Sequence, residues 1–417
     1  MSSRQSLFCD PCVLKSEKCI LGGLTCISAL ETLALVPLKL RFSALKCKPI
    51  HLILYSLDLE THSRMKERYE MVMYRAMQKI AYFARVFGGI RLKRFQKALE
   101  GACRSSGKSK AALTADMVKC FFRFGAGFQD YCLFHFWELN DAQRDTYLTR
   151  FRSKKFIEFM NDPAYAHIID KKTDFYSRFR DYLGRKTINL LDTDTTEADV
   201  RDFFDTHESF FCKMDALGCG EGAELLHKED FADSHAFYQY IKSKGLATLE
   251  EVIENHPDIA EIYPNSVNTC RVVTVLDRQC EAHIVTAIFK FGRDGRFVDN
   301  NGVWLPIDLE TGAYTYISRA GDELLQEYYT EHPDTHYPFS GFKIPMFKEL
   351  CDMAKKAATV VPQVRYIGWD IAVTPRGPTI IEGNDYNDHY FGQMPMQTEK
   401  GVGLLPTIRK YIPEFKW

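Results

Sequence analysis

YIGWDIAVTPRGPTIIEGNDYN, residues 366–387, carries two apolar-rich runs on either side of Pro375-Arg376-Gly377. Proline and glycine favour a tight turn there, so the stretch reads as an antiparallel hairpin centred on Arg376. Positions 370 and 382 are then equidistant from the turn and face each other. Side chains alternate between the two faces of a strand. That puts Ile371, Val373, Thr379 and Ile381 on one face and Asp370, Glu382 and Asn384 on the other. Like charges directly opposite on a sheet repel, so Asp370 against Glu382 asks for a cation between them. Three hard oxygen donors suit Mg2+, which takes few protein ligands and completes its shell with water and phosphate oxygens. An exposed hairpin face with solvated carboxylates is the plainer alternative.

The rest of the chain sets bounds on this reading. Its 417 residues suggest two to three domains, and 46% hydrophobic with 26% charged residues is ordinary globular composition. A formal net charge of -1 gives no global field that favours nucleic acid or an anionic membrane. Thirteen irregularly spaced cysteines do not make a disulfide framework in a chain this long and fit a reduced, cytoplasmic protein. Cys9 and Cys12 form one CxxC, but no second ligand pair stands at zinc spacing, so free thiols are expected. Charged residues interrupt the N-terminus before any apolar stretch, which argues against a signal peptide. Residues 20–40 are apolar but diluted by Thr25, Ser28, Glu31 and Thr32, and a buried helix is expected there.

Residues 63–100 lack proline and are rich in helix formers, and further helices are expected at 112–122, 141–161, 171–183, 232–243 and 345–358. From about residue 188, β-branched and aromatic runs appear: 188–191, 209–214, 269–277 and 283–292. The fold class is therefore α+β, a helical N-terminal region followed by a largely antiparallel second half. GACRSSGKS at 101–109 approaches a phosphate loop, but its spacing is one residue too long and it follows a helical segment. LGCGEGA carries Gly218, Gly220 and Gly222 and reads better as a flexible loop whose amides lie over phosphates than as a dinucleotide fingerprint. Lys213 ends the strand before that loop, within reach of phosphates beneath it.

The order of five blocks resembles the ATP-grasp superfamily, and most closely its sugar-transfer-associated branch, related to the α-L-glutamate ligases. They are FCKMDALGCGEG, LEEVIENHPDIAEIYPNSVNTCRVVTV, FKFGRDGRFVDNNG, HPDTHYPFSGFKIP and YIGWDIAVTPRGPTIIEGN, within roughly 165–400. The resemblance implies an ATP-grasp fold at 165–417, preceded by a helical region at 1–164. Two α+β lobes, about 165–249 and 250–417, would clasp ATP. Lys213, with Lys171 or Lys172, would contact phosphates under the glycine loop. Glu250, Glu251 and the backbone to Ile253 would hold adenine and ribose. Asp370, Glu382 and Asn384 fall on metal-ligand positions for Mg2+, and Arg271 and Lys290 would face the transferred phosphoryl group. The branch usually has glutamine where Asn255 stands, arginine where Lys290 stands and a doubled glycine at Asn301-Gly302.

The implied activity is a ligase that activates a small-molecule carboxylate as an acyl-phosphate for attack by an amine. Phosphoryl transfer without ligation and a non-catalytic ATP-binding scaffold stay open as alternatives. Neither nucleic acid nor a membrane is an expected partner, and no motif speaks to oligomeric state. Candidates on the acceptor side are His256, His283, Asn300, Asn301, Asp385 and His389. His389 reads first as a loop histidine packed near the site, and His256 as a helix-start residue.

Overall fold

The computed structural model describes residues 92–215, 222–299, 302–315, 317–320, 327–395 and 401–416. Expectations for 1–91, Gly218, Gly220, Asn300 and Asn301 lie outside the described residues. Among those described, no helix is long and apolar enough to cross a membrane.

The N-terminal helices are α1 (Leu92–Ser106), α2 (Lys110–Phe124), α3 (Phe128–Leu133) and α4 (Arg150–Met160). The phosphate-loop lookalike at 101–109 is the joint between α1 and α2. Gly107 turns the chain at φ 69, and Ser109 caps α2 by accepting from the Ala112 amide. One continuous helix over 141–161 does not form. A short helix, Asp141–Arg144, precedes α4, because the backbone between them is drawn off by distant partners. The Leu148 amide donates to Gln393 Oε1 at 2.7 Å, and the Arg150 amide to Asp130 Oδ2 at 2.9 Å. Likewise the helix expected at 171–183 is α5 (Lys172–Arg178) followed by a 3-10 turn, Arg180–Tyr182.

Strands β1 (Thr187–Asn189), β2 (Ser209–Lys213), β3 (Ala223–His227) and β4 (Thr248–Glu251) form an antiparallel sheet in the order β1-β4-β2-β3. Helices α6 (Glu197–Thr206) and α7 (Ser234–Lys244) belong to its core, where Phe203, Phe204 and Phe237 meet Phe210, Cys212 and Leu249. Period-two alternation then turns Phe211 and Lys213 of β2, with Thr248 and Glu250 of β4, to the opposite face. Strand β4, through Glu251, belongs to this smaller sheet, where it pairs with β1 and β2.

The larger sheet is built from β5 (Thr269–Leu276), β6 (Ala282–Phe291), β7 (Val303–Pro306), β8 (Ser318–Ala320), β9 (Tyr328–Tyr329), β10 (Tyr366–Thr374) and β11 (Gly377–Asn384). Their order is β11-β10-β5-β6-β7-β8-β9, again antiparallel. Cys270, Val272, Phe289, Trp369, Ile371 and Ile380 share one core with Phe175 of α5, with Phe179 just after it, and with Leu350 of the covering helix α8 (Phe347–Ala358). The other face is also covered at its ends. Ile288 and Trp304 pack with residues of α1–α3, and Val273 and Tyr366 with α4 and with α9 (Leu405–Tyr411). With both faces covered, every residue of β5 and β10 is buried, Arg271 and Asp370 included.

The β10–β11 hairpin pairs Asp370 with Glu382 as the sequence predicts, by a different route. The loop is only Pro375-Arg376, with Thr374 opposite Gly377, and a bulge after Asp370 restores the register. Ile380 therefore opposes Ile371 and enters the core, where Thr379 and Ile381 had been expected.

Candidate active site

Asp370 and Arg271 are opposed residues on β10 and β5, and Lys290 lies on the same face of β6. Arg271 grips Asp370 with a fork: Nε donates to Oδ1 and Nη2 to Oδ2, both at 2.8 Å. Lys290 Nζ sits 3.0 Å from Asp370 Oδ1 and 3.4 Å from Asp299 Oδ1. Asp299 Oδ2 in turn accepts from the Thr269 hydroxyl. All of these side chains are buried. Burial alone would raise the Asp370 carboxyl, but the Arg271 and Lys290 charges hold it well below the usual carboxylate range. Asp299 goes the other way: burial, with the Asp370 charge, pushes it up against the pull of Lys290. The cations that balance Asp370 are thus Arg271 and Lys290, not a metal alone.

Asn387 and Phe391 fix Arg271. A Cβ on Gly368 would meet Asn387 Oδ1 at 2.1 Å, so only glycine leaves room for Asn387 to accept from Arg271 Nη1 at 3.3 Å. The Phe391 ring lies 5.4 Å from the guanidinium carbon. Asn161, the residue after α4, holds the start of β10. It donates to the Tyr366 and Asp385 carbonyls at 2.9 and 2.8 Å, and accepts from the Tyr366 amide at 2.8 Å. Asn161→Ala orphans these buried groups and is expected to cost about 1–3 kcal/mol, read from denaturant unfolding.

Glu382 and Asn384 differ from Asp370. Among the described residues the half-buried Glu382 carboxylate has no hydrogen bond or ion pair, and Asn384 Oδ1 has no partner either. Asn384 donates only a long 3.4 Å bond to the Gly368 carbonyl. The Glu382 charge bears on both Lys213 and Arg271. An unengaged carboxylate and an unengaged amide oxygen beside a second carboxylate, Asp370, fit a small divalent cation such as Mg2+.

Facing them on the smaller sheet is a hub that pairs the expected Lys213 and Glu250 with Arg185 and Tyr176, two residues the sequence reading missed. The Glu250 carboxylate is shared by Lys213 Nζ at 3.0 Å, Arg185 Nη2 at 2.9 Å and the Tyr176 hydroxyl at 2.7 Å. Arg185 also donates to the Ile380 carbonyl at 2.8 Å, tying the hub to β11. Burial would raise Glu250, but Lys213, Arg185 and the Tyr176 hydroxyl bring it down to about 2. Lys213 is lowered, by burial first and by the Arg185 charge, against the pull of Glu250. The drop in Glu250 follows from two cations sharing one carboxylate, and the drop in Lys213 from burial with a second cation beside it. Nothing in LGRKTINL marks Arg185 as special, because its partners lie 65 and 195 residues away.

Other expected residues are placed as follows. Lys172 opens α5, while Lys171 is exposed. Gly222, at φ 70, closes the β2–β3 loop by accepting from the Met214 amide. Glu251 pairs with Arg376 at 2.9 Å, and Ile253 is half-buried beyond the end of β4. His256 caps a short helix, accepting from the Asp258 amide. His283 bonds Asp277 at 2.9 Å and stacks on Tyr411, at the far end of β6 from Lys290. His389 bonds the buried Asp130 at 2.6 Å, linking the segment after the hairpin to α3. Asn255 brackets the entry to β5 through the Ser266 carbonyl and the Asn268 amide. A Cβ on Gly302 would collide with the Phe291 carbonyl at 1.8 Å, which explains the single glycine retained there.

Three enzymes are among the solved structures to which this chain is similar. The D-alanyl-alanine synthetase A from Vibrio cholerae is 13% identical, with a TM-score of 0.33 over 58% of this chain and 60% of that one. The biotin carboxylase domain of 2-oxoglutarate carboxylase from Hydrogenobacter thermophilus is 12% identical, TM-score 0.37, over 60% and 46%. The L-amino acid ligase from Bacillus licheniformis is 11% identical, TM-score 0.36, over 62% and 52%. The chain thus spans about half the length of these proteins. No curated protein matches it in sequence. Residues 151–410 match the profile of the sugar-transfer associated ATP-grasp family, which covers more than half of the sequence. The chain belongs to that family, and its fold is the ATP-grasp fold.

Proposed function

We propose that this chain is a Mg-ATP-dependent ligase that activates a small-molecule carboxylate as an acyl-phosphate for attack by an amine. The observation that carries the reading is the unengaged Glu382 carboxylate, opposite Asp370 and within the fields of both Lys213 and Arg271. Nucleotide would lie between the lobes at about 165–249 and 250–417. Lys213, Lys172 and the loop of Gly218, Gly220 and Gly222 would sit on its phosphates, and Glu250, Glu251 and Ile253 along adenine and ribose. Asp370, Glu382 and Asn384 would hold the ion. Bound there, Mg2+ supplies charge neutralisation across the β- and γ-phosphates.

Arg271 and Lys290, both held on Asp370 in this structure, would face the place where negative charge grows during phosphoryl transfer. Preorganised donors of this kind contribute more than any protein nucleophile. The route needs no thiol, in keeping with Cys212 and Cys270, which are buried and pushed up by burial. The described cysteines are all free, which suits the reducing cytoplasm. Small carboxylates and amines are the proposed partners.

Product mass spectrometry on the purified chain, supplied with MgATP and a panel of carboxylates and amines, tests the proposal. A condensed product with ADP and phosphate supports it. A phosphorylated product with ADP alone would replace it with phosphotransfer. Binding of MgADP should stabilise the chain through ordinary linkage, by about 2.7 kcal/mol at a hundredfold excess over Kd, and so raise its melting temperature.

A further inference from the structure

A carboxylate offers about four lone-pair positions. On Asp370 the Arg271 fork takes one on each oxygen, and Lys290 takes another on Oδ1. Two cations this close also repel a divalent ion. Asp370 as it stands is therefore a poor metal ligand, while Glu382 beside it is unengaged. Lys290 is itself shared with Asp299, so Arg271, Asp370, Lys290 and Asp299 form one buried chain of alternating charge. Nothing but a new anion can draw the two cations off Asp370 without leaving them unpaired. Phosphate oxygens are such an anion, and Arg in particular binds them as readily as it binds a carboxylate.

We infer that this chain is a latch on the metal site. Nucleotide phosphates entering the cleft take over Arg271 and Lys290, and only then does Asp370 join Glu382 and Asn384 around the ion. Asp299 keeps Lys290 on the large sheet while it changes partner. The inference rests on the cleft being a nucleotide site. It makes nucleotide and metal binding cooperative, and the coupling must be reciprocal.

The test uses the full chain, with Mn2+ alone as the metal probe, read from the electron paramagnetic resonance of the free ion. ADP binding is measured separately by calorimetry, in EDTA. Wild type should bind ADP measurably without metal and bind Mn2+ alone weakly. Arg271→Met and Lys290→Met should each tighten binding of Mn2+ alone by about tenfold, a coupling of ordinary size, and weaken metal-free ADP binding. Adding Glu382→Gln should abolish the tightened site. Mn2+ affinity unchanged in both variants would overturn the latch. If either variant fails to fold, the other carries the comparison. If both fail, wild type decides: Mn2+ bound as tightly without ADP as with it contradicts the proposal. Absence of ADP binding under every condition would refute the nucleotide reading itself, a distinct result.

Discussion

Glu250→Gln is expected to destabilise the chain by about 3–5 kcal/mol, because it strands two buried cations that now share one carboxylate. Lys213 and Arg185 both lie within 3.0 Å of Glu250, whose side chain is 1% exposed. The amide keeps the shape and one acceptor but removes the charge. Urea unfolding of the variant beside wild type measures the loss. Adding Lys213→Met should recover part of it, since one of the two stranded charges is then gone. The same pair sets an acid limit. The folded Glu250 carboxyl sits at about 2, below its ordinary 4.5, so its stabilisation is complete above that value. It is lost as the pH falls toward 2, and amounts to roughly 3 kcal/mol. In Glu250→Gln this share of the acid sensitivity should disappear. A variant as stable as wild type at neutral pH would mean that the hub does not hold the smaller sheet.

The second large effect is on turnover. Glu382→Ala and Asp370→Ala should each abolish Mg-ATP-dependent ADP release, with a loss of roughly 10² to 10³ or more. The two variants are not equivalent. Asp370→Ala also leaves Arg271 and Lys290 buried without their shared partner, so its loss mixes chemistry with stability. The Glu382 carboxylate makes no hydrogen bond or ion pair among the described residues, so its removal breaks no side-chain contact and its loss reflects the site's electrostatics rather than stability. Near-normal ADP release from Glu382→Ala, with an acceptor that wild type uses, would end the metal assignment.

The pairing of Asp370 with Glu382 was legible because strand periodicity and a Pro-Gly turn are local signals. The bulge that reconciles a two-residue loop with that pairing was not, since a shortened turn and an extra residue cancel in the spacing. That cancellation is why Ile380, and not Thr379 or Ile381, enters the core beside Ile371. Strands β1, β2, β5 and β6 could be read from β-branched runs, but β3, β7, β8 and β9 were not among those runs, and the membership of β4 could not be read because it depends on partners in β1 and β2. The break before α4 and the roles of Arg185, Asn387 and Asp299 share one cause. Each depends on a partner far away in sequence: Gln393 for Leu148, Ile380 for Arg185, Arg271 for Asn387 and Thr269 for Asp299. No local pattern encodes such a contact. The resemblance carried the constellation as a set, whereas the charge balance inside it needed the geometry.

The central claim is that Glu382 and its neighbours hold a metal on a nucleotide in this cleft. Calorimetric titration of ADP into wild type and Glu382→Gln, with and without Mg2+, tests it most directly. Mg2+ should strengthen ADP binding to wild type, while Glu382→Gln should bind ADP with that dependence on metal lost. ADP affinity equally enhanced by Mg2+ in both proteins would contradict the account.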